Sequence, residues 1–144
     1  MRSCVAFIAA MLLFCTPVFG QSYDLLTRAD SGDVYAQVML GDMFSAGEGV
    51  DQDYAEAARW YRIAAKRGVA KAQLSLGLLY SKGQGVKQSI EIAYQWASVA
   101  AAQGAEDAIE ALDSLSGQLD VETLDRAQQL ATSCLESRYA QCEG

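Results

Sequence analysis

Apolar positions in this chain fall at helical spacing. Ala57, Ala58, Tyr61, Ala64 and Ala65 stand at i, i+1, i+4, i+7 and i+8, one stripe along a helix. Ala72, Leu76, Leu79 and Tyr80 form a second stripe, and the strict alternation that marks strands is missing. Asp53, with Glu56 three residues on, predicts the N-cap of the first helix as a variant of the capping box. Gly68 predicts its stop, because glycine accepts the left-handed conformation there. Gly83 and Gly85 predict the loop after the second helix. Further on, Ser89 predicts the start of a helix over 90–103, Gly104 its end, and 105–115 its partner. Earlier in the chain, 23–31 and 34–44 form a shorter pair.

The pattern recurs at a fixed offset of 36 residues. Gly32-Asp33-Val34-Tyr35-Ala36-Gln37 returns as Gly68-Val69-Ala70-Lys71-Ala72-Gln73, Gly41 as Gly77, and Gly47-Glu48-Gly49-Val50 as Gly83-Gln84-Gly85-Val86. Trp60 returns as Trp96 and Gly68 as Gly104. A period of this length signals stacked units, each unable to bury its apolar face alone. Ala57, Ala64, Ala65, Ala72 and Gly77 lack bulk, so their helices are expected to approach to about 8 Å. Trp60, Tyr61, Tyr80, Tyr94 and Trp96 are expected to fill the space between repeats. After Ser116-Gly117 the repeat marks stop. Asp120 predicts an N-cap, and Val121, Leu124, Ala127, Leu130, Ala131, Cys134 and Leu135 give one apolar face. Residues 120–138 therefore read as a terminal helix that shields the last repeat from water.

These residues resemble the Sel1-like repeat family, a branch of the tetratricopeptide-type α-solenoids. The family pattern A-x-x-W-Y-x-x-A-A-x-x-G is matched from Ala57 to Gly68. A-x-A-Q-x-x-L-G-x-x-Y is matched from Ala70 to Tyr80, and G-x-G-V from Gly83 to Val86. In the last repeat Ala97 replaces the Tyr after Trp96, and the stretch from Asp107 to Leu112 loses the Gln, Gly and Tyr. A final repeat handing over to a cap should look like this. The expected fold is all-α, a right-handed α-solenoid of stacked antiparallel helix pairs with a C-terminal capping helix. Residues 1–20 would be a signal peptide, 21–52 a truncated first repeat, 53–88 a full repeat, 89–117 the last repeat and 118–144 the capping helix and tail. The resemblance implies an adaptor, scaffold or regulator that meets another protein on its concave side, lined by the first helix of each pair.

The start of the chain refines the compartment. Met1-Arg2-Ser3 is positive, Val5 to Phe14 is apolar, and Thr16-Pro17 breaks the run. Val18 and Gly20 are small, so cleavage is expected before Gln21. The run is shorter than the roughly 20 residues that span a membrane, and no membrane insertion is expected after cleavage. Removing Arg2 leaves ten basic and 18 acidic side chains, net −8, which argues against a nucleic-acid binder. Cys134 and Cys142 remain and are expected to pair in an exported chain. The loop they close contributes about 2.5 kcal/mol in the chain-entropy account. The expected location is the periplasm or the medium.

No catalytic constellation is legible, and no metal or cofactor is expected. The chain has no His, hence no imidazole base or ligand. No Ser is followed three residues later by Lys. The Gly-x-Gly loops lack the third Gly or the Lys-Ser/Thr of phosphate loops. A cell-wall or β-lactam hydrolase, or a polysaccharide-binding module, stands as the alternative, the last requiring exposed aromatics. Charge is more informative. From Ala57 to Ile90 there are seven bases and no acid: Arg59, Arg62, Lys66, Arg67, Lys71, Lys82 and Lys87. Residues 21–56 carry −7 and 91–144 carry −8. Arg59, Arg62 and Lys66 share one helix face; with Gln95 and Ser98 one repeat on, they are the candidate contacts for another protein or an acidic peptide. Ion pairing between neighbouring repeats is the other reading of these charges. A homodimer through the truncated first pair is compatible with the pattern.

Overall fold

The computed structural model describes residues 17–143; the apolar run of the expected leader lies outside them. Among the described residues seven helices follow in order: α1 Pro17–Asp30, α2 Val34–Ala46, α3 Tyr54–Ala65, α4 Ala70–Lys82, α5 Ile90–Ala101, α6 Glu106–Ser116 and α7 Val121–Glu136. Among the described residues there is no strand. The helices stack as an α-solenoid. Partners within a pair touch, and α2 packs on α3 and α4 on α5 to join successive pairs. The last helix, α7, instead lies against α5. None of the described helices is long and apolar enough to cross a membrane.

Local chemistry sets the helix ends. The Asp53 carboxylate accepts from the N–H groups of Ala55 and Glu56 at 2.9 and 3.1 Å. Ser89 accepts from Ile92 and Asp120 from Thr123. The capping box at α3 is only half made. The Asp53 N–H already donates to the carbonyl of Phe44, and Glu56 is taken by Arg59. At the other end of α3, Gly68 has φ 86°. Its N–H donates to Ala65 O and that of Val69 to Ala64 O, the pair of bonds that satisfies the last carbonyls when one residue turns left-handed. The same bonds close α1 at Gly32 and α5 at Gly104.

The seams are close because they carry no bulk. A Cβ added to Gly77 would stand 3.1 Å from Ala93 O and 3.4 Å from Trp96 Cβ, so the α4 backbone packs directly on α5. Trp60, Tyr61, Tyr80, Tyr94 and Trp96 are all buried between pairs. Two buried glutamines tie each second helix to the end of the first. Gln37 Nε2 donates to Ala29 O and Gln73 Nε2 to Ala65 O, both at 3.0 Å. One period on, the position holds Ile109, which is exposed.

The capping helix covers less than its sequence stripe promised. Ala127, Ala131 and Cys134 are buried and Leu124 packs beside them, but Val121 is 86% exposed and Leu135 is also outside the seam. A helix docked along one neighbour buries a narrow stripe, and Val121 and Leu135 fall at its ends.

Candidate partner-binding site

Helix α3 presents the three predicted cations, and the structure treats them differently. Arg59 is exposed, pairs with Glu56 at 2.9 Å, and sits with its guanidinium carbon 4.1 Å from the centre of the Trp60 ring. Lys66, just past the helix end, is exposed and has no carboxylate within 4 Å among the described residues. Arg62 is drawn inward. Its Nε donates to Glu143 Oε2 at 2.7 Å and its Nη2 to the Tyr80 hydroxyl at 3.0 Å.

Of the two residues predicted one repeat later, Gln95 stands away from the surface. Gln95 is 1% exposed and donates to the carbonyl of Leu130 at 3.3 Å. The capping helix lies over it, so it is a structural tie and no surface contact. Ser98, the repeat counterpart of Arg62, is half-buried.

What brings Glu143 to Arg62 is the segment after α7. The N–H of Tyr139 donates to Cys134 O at 2.8 Å. Arg138, Tyr139 and Glu143 take positive φ of 51°, 70° and 72°. The Cys134–Cys142 disulfide, with Cα atoms 4.8 Å apart, fastens the segment to α7. It then passes over the end of α3, where a Cβ at Gly68 would lie 2.9 Å from the Tyr139 ring. Glu143 settles between α3 and α5, its side chain 14% exposed. Its second oxygen accepts from Trp96 Nε1 at 3.1 Å, so each carboxylate oxygen has its own N–H donor. Burial works against the charge on Arg62, but the bonds to Glu143 and Tyr80 outweigh it and raise its pKa. Burial likewise raises the Tyr80 hydroxyl.

This cluster occurs once. One period earlier the counterparts of Arg62, Tyr80 and Trp96 are Leu26, Phe44 and Trp60. Two of those cannot donate, and the buried Trp60 Nε1 has no acceptor among the described residues. In the sequence Arg62 reads as a site residue, whereas Tyr80 and Trp96 read as core only. Comparing repeats position by position would have flagged the change from Leu and Phe to Arg and Tyr. Beside Tyr80, an open depression of about 560 Å³ is lined by Val86, Lys87, Gln88, Ser89 and Ile92.

The rest of the basic band splits in two. Lys71 reaches back to Asp42 of the preceding pair at 2.6 Å, as the ion-pairing reading expects. Arg67, Lys82 and Lys87, like Lys66, have no described carboxylate within 4 Å. The N–H groups of Arg62 and Trp96 converge on one carboxylate, an arrangement suited to holding an anion through charge-assisted hydrogen bonds.

Comparison with known proteins agrees with this architecture. A sequence model of the family described as Sel1 repeat matches residues 34–69 and 70–104. No curated protein matches the chain. Among solved structures, a Sel1 repeat protein from Oxalobacter formigenes is 30% identical, with 74% of this chain and 96% of that one covered and a TM-score of 0.57. A protective antigen present in uropathogenic Escherichia coli strains and displaying an SLR fold is 27% identical with a TM-score of 0.77. The match covers 83% of this chain and 27% of the antigen, so the chain spans about a quarter of that protein's length. Repeat period, helix pairing, seam residues and matched relatives converge: the chain belongs to the Sel1 repeat family.

Proposed function

We propose that this protein is an exported interaction module that binds an acidic segment of another protein along the α3 face. Sel1 repeat proteins are generally protein-interaction scaffolds and typically non-catalytic. The observation that carries the finer reading is the unneutralised charge of the middle repeat. Lys66, Arg67, Lys82 and Lys87 have no described carboxylate partner, in a chain whose net charge is −7. A local positive band on an acidic body steers a negatively charged segment to one place and repels it elsewhere. Arg59 and Lys66 form the exposed rim of that surface. Trp60 and Trp96 are buried, so neither offers an aromatic platform to a polysaccharide. The disulfide fits an oxidising compartment, which supports export to a periplasm.

The test is retention of partners from the source organism's envelope extract by the wild-type protein and by Arg59→Glu/Lys66→Glu. The double reversal should lose the partner at unchanged helical content. Equal retention by both proteins, or turnover of cell-wall material or a β-lactam by the purified protein, would overturn the reading.

A further inference from the structure

We infer that Arg62, Tyr80 and Trp96 form a carboxylate-binding site that Glu143 occupies in cis, and that an acidic side chain of a partner protein takes over by displacing Glu143. The inference rests on reading the α3 face as a partner surface, and it supplies what that reading lacks, a defined point of recognition.

Three observations carry it. First, the cluster is built for a carboxylate. Arg62 Nε and Trp96 Nε1 donate to the two different oxygens of Glu143 at 2.7 and 3.1 Å, and Tyr80 holds the guanidinium from behind at 3.0 Å. Trp96 is fully buried and Tyr80 nearly so, so both rings are held by packing around Arg62. Second, the repeat does not need the cluster to fold. One period earlier the same places hold Leu26, Phe44 and Trp60, and that pair of helices packs against its neighbour without an anion. Third, the occupant comes from outside the repeats, on a segment that also packs Tyr139 and the buried Cys142 against the stack. Glu143 comes from a segment with three left-handed non-glycine residues, held by a disulfide to α7.

The surroundings say what replaces Glu143. Tyr80 also borders the 560 Å³ depression, where Lys87 stands beside Val86 and Ile92. A peptide placing one carboxylate on Arg62 thus has a further cation and an apolar wall within reach. The cis segment offers neither contact, because it leaves the depression open. A single loose carboxylate competes poorly with a tethered one, whose effective concentration is high. An acidic segment that also fills the depression gains contacts the tether lacks. The tether then filters ligands, lowering apparent affinity by the fraction of time the site is open.

The Trp96 indole N–H reads the site directly. The chain has two Trp, so Trp60→Phe assigns the Trp96 cross-peak in a nitrogen–proton correlation spectrum. The probe is a capped peptide of alternating glutamate and glycine, with its glutamine counterpart as control. In Glu143→Ala the cross-peak should move from its wild-type position, and the glutamate peptide should return it towards that position. The peptide should bind Glu143→Ala roughly tenfold more tightly than wild type. Adding Arg62→Met should abolish the response, and the glutamine peptide should give none. The Cys134→Ser/Cys142→Ser protein should behave as Glu143→Ala does. An unmoved cross-peak in Glu143→Ala, or equal responses to the two peptides, would overturn the inference. So would light scattering that shows a dimer undone by Glu143→Ala, since the carboxylate would then come from a second copy. These readouts are independent of the envelope pull-down, so a functioning carboxylate site with no loss of partner on Arg59 reversal would fault the proposed function alone.

Discussion

At the residue scale, stability rests on a few positions where backbone or charge leaves no alternative. Gly68 combines a φ of 86° with the Tyr139 ring close above it. A left-handed conformation costs an L-residue about 1–2 kcal/mol, and the new methyl must also displace that ring. Gly68→Ala should therefore lose at least about 1 kcal/mol in urea unfolding, and an unchanged midpoint would contradict this. Asp33, Glu91 and Asp120 have carboxyls held below their usual values. The causes are hydrogen bonds from Arg28, from Arg126, and from the backbone of Thr123, respectively. Because each pKa is lower folded than unfolded, the stability they add is complete above the ordinary values of 3.8 and 4.5. It is lost as pH falls through the folded values. The melting temperature should drop on acidification below about pH 4.5, and Arg126→Met should shrink that drop. A melting temperature independent of pH in this range would contradict the assignments.

At the element scale, helix positions and most caps were legible because they depend on neighbours in sequence. Asp53, Ser89 and Asp120 cap as expected, and Gly68 and Gly104 end their helices. What was not legible depends on competition or on distance. The return bond from Glu56 is absent because Arg59 and Phe44 O claimed the two groups it needed. Gln95 looked like a surface residue on its own helix and is covered by a helix 35 residues away. Arg62 finds its carboxylate 81 positions along the chain, through a turn that no periodicity announces. The pairing of Cys134 with Cys142 was legible from their number, but its effect on Arg62 was not. Cys134→Ser/Cys142→Ser should lose about 2.5 kcal/mol while the far-ultraviolet helical signal stays near wild type. Loss of the whole helical signal at moderate temperature would show the stack to depend on the clasp.

At the scale of the whole molecule, the design is quasi-one-dimensional. Each pair touches the next through Ala, Gly and aromatic seams, and interactions along the chain are mostly between neighbours. Such a stack exposes long faces and has no reason to converge polar groups, except where a later segment is bent back onto it. That happens at Arg62. The acidic, basic, acidic order of the chain then becomes a shape. Asp42 of the preceding pair neutralises Lys71, Glu143 of the returning segment neutralises Arg62, Glu56 pairs with Arg59, and Lys66, Arg67, Lys82 and Lys87 stay available around the ends of α3 and α4.

The proposed function has a partner meet the α3 face. It is tested most directly by placing a photo-crosslinking amino acid at Lys66 and, in a second protein, at the exposed Ile109 of α6. Irradiation in the intact envelope should give an adduct from position 66 that Arg59→Glu removes, and none from position 109. An adduct from position 109 alone, or one at 66 that survives the charge reversal, would contradict the account.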